Sequence, residues 1–259
     1  MKYCKMKALI ESKDGRWVYG RDDLDEGVIP ILFNSRDVGI FDLDDCDAVS
    51  PAKRIVYEHA RSGGIFNPKF IYWASFYGLG AKSDKRKEGE AFRKYVQLFL
   101  DGKNGGRRLR RIYNRFKEKD AVGKMVFPGV QEFYDSLPVD MTKFYLTRSV
   151  GVIGELFAEH LGVNYAYSNI VDKAEALKKY VENDAIFGRH FLFKEDFEND
   201  ALQMIDVLNS FCDKKSSRVE SCLSVLVSDK PDKCPEGFDF VISKDHNGLV
   251  GLMKGALSG

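Results

Sequence analysis

Two acidic residues, Asp42 and Asp44, directly follow a short apolar stretch, and their spacing suits chemistry on protons, metal ions or phosphate groups. The stretch 38–41 is apolar and too brief for a helical period, which predicts a buried central strand. The two carboxylates would then lie at the C-terminal end of that strand, where open α/β sheets bind ligands. Because like charges this close raise each other's pKa, the pair requires a compensating metal ion, a lysine or both.

Further predicted strand ends and helix starts carry groups that complement this pair. They are, in chain order, Thr147 after a strand, Lys173 at the start of a helix, and Asp196 with Asp200 after another strand. In a parallel sheet these ends share one edge, so residues far apart in the chain can meet there. Carboxylate oxygens are the ligands that Mg²⁺ prefers, and hydroxyl and ammonium groups complement phosphate oxygens.

Predicted strands and helices alternate in the second half of the chain. This alternation predicts an α/β fold whose doubly wound, mostly parallel sheet would position these groups. Residues 1–36 are predicted to form an N-terminal extension. It would contain a β-hairpin and, after the hairpin, a further strand at 29–33. Residues 37–47 and 125–259 are predicted to form the core domain. Residues 48–124 read as an inserted, all-helical cap domain.

Composition narrows the function classes. The 259 residues carry a net charge of +1, so no overall field favours a nucleic acid or a membrane surface. The basic helical stretch 107–117 therefore suits a solvated face or an anionic substrate better than RNA. No apolar run approaches 18 residues, the N-terminus makes a poor signal peptide, and five scattered cysteines without a CxxC pair predict reduced thiols in a cytoplasmic protein. The sequence carries no signal for an oligomeric state.

The motifs, taken in order, resemble those of the haloacid dehalogenase superfamily of phosphatases, and most closely the phosphoserine-phosphatase-like branch with a helical, C1-type cap after the first motif. The matching segments are Asp42-Leu43-Asp44, Leu146-Thr147, the helix start at Lys173, and the pair Asp196 and Asp200. Three residues depart from the family pattern. Glu195 stands where glycine is usual, Asp45 where glycine or serine is common, and Cys46 where threonine is common. The two added acids could tighten cation binding or repel a phosphate.

This resemblance implies a Mg²⁺-dependent phosphomonoester hydrolase that acts on a small phosphorylated metabolite through an aspartyl-phosphate intermediate. Asp42 would be the nucleophile and Asp44 the general acid and base. Thr147 and Lys173 would bind the phosphate. The implied metal site comprises Asp42, Asp44 through its backbone carbonyl, Asp196 and Asp200, with Asp200 alternatively orienting the lysine or a metal-bound water.

Two other functions and one other motif assignment stay open. The same site could serve a phosphotransferase or mutase, or the chain could be a non-catalytic module that binds a partner through its insertion. Asp229 and Asp232 also follow an apolar strand and compete for the fourth motif. We favour Asp196 and Asp200, because the family places this motif soon after the lysine helix.

Overall fold

The computed structural model describes residues 6–11, 16–49, 122–149, 151–196, 198–214, 217–229 and 237–255, together with five isolated positions: Pro68, Arg107, Arg110, Asn114 and Lys117. These five residues are exposed and helical. Apart from them and its two ends, the cap domain predicted at 48–124 lies outside the described residues, and it stays a prediction.

A mostly parallel sheet forms the centre of the described chain. Its eight strands are β1 (Met6–Glu11), β2 (Trp17–Arg21), β3 (Val38–Phe41), β4 (Thr142–Leu146), β5 (Tyr165–Tyr167), β6 (His190–Glu195), β7 (Ser221–Val227) and β8 (Phe240–Ile242). Their order across the sheet is β1-β2-β8-β7-β6-β3-β4-β5. Strands β3 to β8 pair in parallel, whereas β2 runs antiparallel to both β1 and β8. The predicted α/β fold class is confirmed.

Helices cover both faces of the sheet. They are α1 (Ile29–Asn34), α2 (Val130–Asp135), α3 (Gly151–Leu161), α4 (Lys173–Glu182), α5 (Glu198–Cys212) and α6 (Asn247–Met253). One buried apolar cluster joins α1, α2, α3 and α6 to one face, and a second joins α4 and α5 to the other. None of the helices among the described residues is both long and apolar enough to cross a lipid bilayer.

Strand β3 lies in the middle of the sheet because every one of its residues can be buried. Its side chains alternate between the two apolar clusters, with Ile40 in one and Phe41 in the other. Gly39 is required by close packing, since a Cβ there would come within 2.4 Å of the Phe41 ring. The packing of β3 therefore fixes the position and orientation of the backbone at Asp42, which directly follows it.

The strand predicted at 29–33 is wrong, because these residues form helix α1. Pro30 lies in the first turn, where proline suits a helix, and the buried side chains Ile29 and Phe33 are four residues apart. Strands β1 and β2 pair antiparallel at the edge of the sheet, as a hairpin would, although the turn between them lies outside the described residues.

Candidate active site

The switch in strand order places the candidate site at the C-terminal end of β3. From β3 the chain adds β4 and β5 on one side and β6, β7 and β8 on the other. Such a reversal opens a crevice at the strand ends between the flanking strands. Asp42 follows β3, Thr147 follows β4, and Glu195 ends β6. The residues that the sequence singles out thus converge although more than 150 positions separate the first from the last.

Asp42 is the central carboxylate of this crevice. Its backbone N–H donates to the carbonyl of Lys194 at 3.0 Å, which extends the pairing of β3 and β6 by one residue. The side chain is 5% exposed, and Oδ1 lies 2.8 Å from Nζ of Lys173. Burial alone would raise the pKa of Asp42, but the charge and hydrogen bond of Lys173, together with hydrogen bonding to Glu195 and the Leu43 backbone, lower that pKa below its ordinary value. Asp42 is therefore a buried but ionised carboxylate.

Lys173 is held in place by the start of its own helix. Asp172 caps α4 by accepting the backbone N–H of Glu175 at 3.0 Å, so the lysine begins the helix in a fixed position. Its side chain is 1% exposed, and Nζ reaches both Asp42 and Oε2 of Glu195, the latter at 2.7 Å. Burial lowers the pKa of Lys173, but the two carboxylates raise it by more than burial lowers it. The net pKa therefore lies above the ordinary value for lysine. The ammonium is therefore permanent at neutral pH.

Glu195 adds a second buried carboxylate beside Asp42. Burial and the neighbouring Asp42 raise the pKa of Glu195 well above its ordinary value, in spite of the opposing effect of Lys173. Carboxylate oxygens of Asp42, Glu195 and Asp196 lie within 4.8 Å of one another. Three hard oxygen donors this close, with one shared lysine, fit a divalent cation such as Mg²⁺.

Thr147 and Asp44 meet on the other side of Asp42. Thr147 is buried, and its hydroxyl donates to Oδ2 of Asp44 at 3.4 Å. The backbone N–H of Ser149 donates to the same hydroxyl oxygen at 3.1 Å, which fixes the loop after β4. Asp45, which stands where the family commonly has glycine or serine, has a φ of 60°, a conformation that glycine adopts freely and aspartate tolerates. Asp44 is thus carried on a tight turn beside the threonine.

Asp200 lies apart from the acidic group formed by Asp42, Glu195 and Asp196. Its Oδ2 is 2.5 Å from Nη1 of Arg148, and both side chains are mostly buried. Of the four metal ligands predicted from the sequence, the carboxylates of Asp42 and Asp196 belong to the acidic group, whereas the carboxylate of Asp200 contacts Arg148. Asp44 is predicted to bind through its backbone carbonyl, and the contact of its side chain with Thr147 does not affect that prediction. The competing residue Asp229 is exposed and pairs with Lys244 at 3.1 Å, and Asp232 lies outside the described residues.

A buried ion pair stabilises the loop that carries Asp42 and Asp44. Asp47 and Lys194 are both fully buried and in direct contact. Asp47 also accepts hydrogen bonds at Oδ2 from the hydroxyl of Tyr134 at 2.5 Å and that of Tyr145 at 2.9 Å. His246 lies 3.2 Å from the lysine Nζ through its Nε2. This polar cluster fixes the chain directly before the insertion that the sequence predicts at 48–124.

The sequence alone predicts no role for Arg148 or Lys194, and in it Glu195 is only a departure from the family pattern. The sequence carries a signal for each of them. Arg148 directly follows Thr147, and Glu195 directly precedes Asp196. For Lys194 the signal is a charged residue that directly follows the apolar run 191–193 within β6. A charge inside a buried strand requires a partner, which in this chain is Asp47.

No protein-family model matches this chain, and no curated protein matches it in sequence. Solved structures do match. A haloacid dehalogenase-like hydrolase from Burkholderia xenovorans LB400 is 14% identical, with a TM-score of 0.45 over 74% of this chain and 84% of the other. A substrate-bound phosphoserine phosphatase is 15% identical, with a TM-score of 0.43 over 79% and 95%. A haloacid dehalogenase-like hydrolase from Streptococcus pneumoniae is 13% identical, with a TM-score of 0.38 over 78% and 95%. Similarity at this level does not bear on activity or substrate.

Proposed function

We propose that this protein is a Mg²⁺-dependent phosphomonoester hydrolase that acts on a small phosphorylated metabolite. The observation that carries the proposal is the contact between a buried, ionised Asp42 and Lys173, beside two further carboxylates at the C-terminal rim of the sheet. A carboxylate is a useful nucleophile only while it is ionised, and the lysine keeps it so. Burial of the pair also strengthens its electrostatic interactions with a bound phosphate.

In the first step, a carboxylate oxygen of Asp42 forms a bond to phosphorus, and the bond from phosphorus to the substrate oxygen breaks. Asp44 donates its proton to the departing alkoxide, which leaves as an alcohol. In the second step, a water oxygen attacks phosphorus while Asp44 accepts a proton from that water. The acyl-phosphate bond breaks, inorganic phosphate leaves, and the Asp42 carboxylate is restored.

The other residues bind and orient the phosphate in this proposal. Thr147 donates its hydroxyl to a phosphate oxygen in place of Asp44, and Lys173 stays between Asp42 and the phosphate. Asp42 and Asp196 would hold Mg²⁺, with Glu195 completing the acidic group. When bound, the ion would neutralise charge on the transferring phosphoryl group.

The test is hydrolysis of a generic aryl phosphate by the wild type and by Asp42→Asn, with Mg²⁺ and with a chelator. We expect metal-dependent hydrolysis by the wild type and a rate at least about a hundredfold lower for the variant, because it lacks the covalent nucleophile. Asp229→Asn is the matched control, since it makes the same chemical change at an exposed ion pair. Equal rates for the wild type and Asp42→Asn would refute the nucleophile assignment, provided that circular dichroism shows both proteins folded.

A further inference from the structure

The positive charge of Lys173 is largely offset within the site before any anion binds. Its ammonium already contacts two carboxylates, Asp42 and Glu195, at 2.8 and 2.7 Å. Asp196 adds a third carboxylate to the same group. A phosphate that enters this surrounding meets more negative than positive side chains, so a second protein cation would improve its binding.

Arg148 is placed to be that cation. It directly follows Thr147 on the loop after β4, and its side chain is 17% exposed. Its Nη1 lies 2.5 Å from Oδ2 of Asp200, which holds one end of the guanidinium. Its Nε is buried and has no hydrogen-bond partner in the part of the chain that the structure describes. A buried donor of a charged group is costly to leave unpaired, and this one lies beside the site.

The geometry of the guanidinium determines which ligand suits the open donor. Nε and Nη2 form one edge of the planar group, and this edge does not include Nη1, the atom that reaches Asp200. Two parallel N–H donors on one edge match two oxygens of a phosphate, which arginine binds in this bidentate manner. Asp200 therefore holds the arginine by Nη1, a nitrogen that is not part of the Nε–Nη2 edge.

The charges of Glu195 and Asp42 act on the guanidinium of Arg148, which is consistent with its place beside the acidic group. Burial lowers the pKa of Arg148, but the hydrogen bond and charge of Asp200, together with Glu195 and Asp42, raise it above its ordinary value. The arginine in turn lowers the pKa of Lys173, although less than the carboxylates raise it. Both cations therefore interact with the same group of acids.

We propose that Arg148 binds the phosphate of the substrate through its Nε edge, and that Asp200 is a positioning residue that orients the guanidinium. The proposal rests on the proposed phosphatase function for the identity of the anion. Because Glu195 already pairs with the ammonium of Lys173, Arg148 would supply the additional positive charge that the phosphate needs. On this proposal, the additional acid at the end of β6 is balanced by a cation on the loop after β4.

Binding of inorganic phosphate in the presence of Mg²⁺, measured by calorimetry, tests this assignment without turnover. We expect Arg148→Gln to weaken binding at least about tenfold, as for the loss of a charged bidentate contact. Arg148→Lys should recover part of that loss, since it restores the charge but not the fork. Asp200→Asn should bind phosphate more tightly than Arg148→Gln does, because its arginine is still present. Arg189→Gln, which breaks an exposed arginine–carboxylate pair with Glu220, is the matched control and should bind as the wild type does.

If Arg148 served only as a structural partner of Asp200, the Arg148→Gln and Asp200→Asn variants would lose similar thermal stability and bind phosphate as the wild type does. Phosphate affinity within twofold of the wild type for both Arg148 variants would overturn the proposal. So would the absence of phosphate binding to the wild type. Arg148-dependent phosphate binding without aryl phosphate hydrolysis would instead overturn the proposed function and leave this assignment in place. Should Arg148→Gln not fold, the lysine variant decides.

Discussion

Replacing Lys194 with methionine would remove one member of the buried ion pair behind the candidate site. Methionine has a similar length and no charge, so the substitution leaves Asp47 as an uncompensated carboxylate at a position with no solvent exposure. The two tyrosine hydroxyls that donate to Asp47 reduce the cost of that charge but do not neutralise it. The lysine also loses its contact with the Phe133 ring, whose centroid lies 4.2 Å from Nζ.

Loss of one partner of a buried ion pair costs about 3–5 kcal/mol of unfolding free energy. In a protein of this size, that corresponds to a fall in melting temperature of roughly 6–20 °C. The same substitution at Lys244, whose ion pair with Asp229 is partly exposed, should cost no more than about 1 kcal/mol. Urea unfolding and thermal melting of both variants measure the difference.

A second substitution separates charge from packing. Asp47→Asn, made in the Lys194→Met background, removes the stranded charge but keeps an oxygen that can accept from the tyrosines. We expect it to restore at least about half of the lost stability, or roughly 2 kcal/mol. A Lys194→Met protein within about 1 kcal/mol of the wild type would refute this reasoning. A double variant less stable than Lys194→Met would refute it as well.

Two further predictions concern protons and metal. Burial and the neighbouring Lys194 lower the pKa of His246 well below its ordinary value, so the unfolded chain binds a proton below pH 6.5 that the folded chain does not. The free energy of unfolding should therefore fall as pH drops below about 6.5, by up to about 1.4 kcal/mol per pH unit. Urea unfolding of His246→Gln should no longer show this pH dependence. The control His160→Gln, at an exposed histidine, should still show it. Glu195→Gln should raise the melting temperature of the metal-free protein, because it removes one of the mutually repelling acids, and should weaken Mg²⁺ binding about tenfold by calorimetry. Unchanged Mg²⁺ affinity, or an equal loss in the exposed control Glu175→Gln, would contradict a role for Glu195 at the metal site.

Local patterns predicted most of the elements of the core. The apolar run before Asp42, the capped helix start at Lys173 and the strands around it are set by periodicity and capping within a few residues. The strand expected at 29–33 failed for a related reason. Its apolar residues suit either a strand or a short helix, and a proline in the first turn favours the helix.

The sequence by itself therefore determined that acids, a threonine and a lysine lie at strand ends and helix starts of one parallel sheet. Only the tertiary structure decided which charges meet. Strand β6 pairs with β3 although about 150 residues separate them, so Glu195 reaches Lys173 and Lys194 reaches Asp47. Arg148 likewise meets Asp200 only because β4 and β6 flank the same strand. Strand order and side-chain direction depend on the packing of the whole chain, and no local period encodes them.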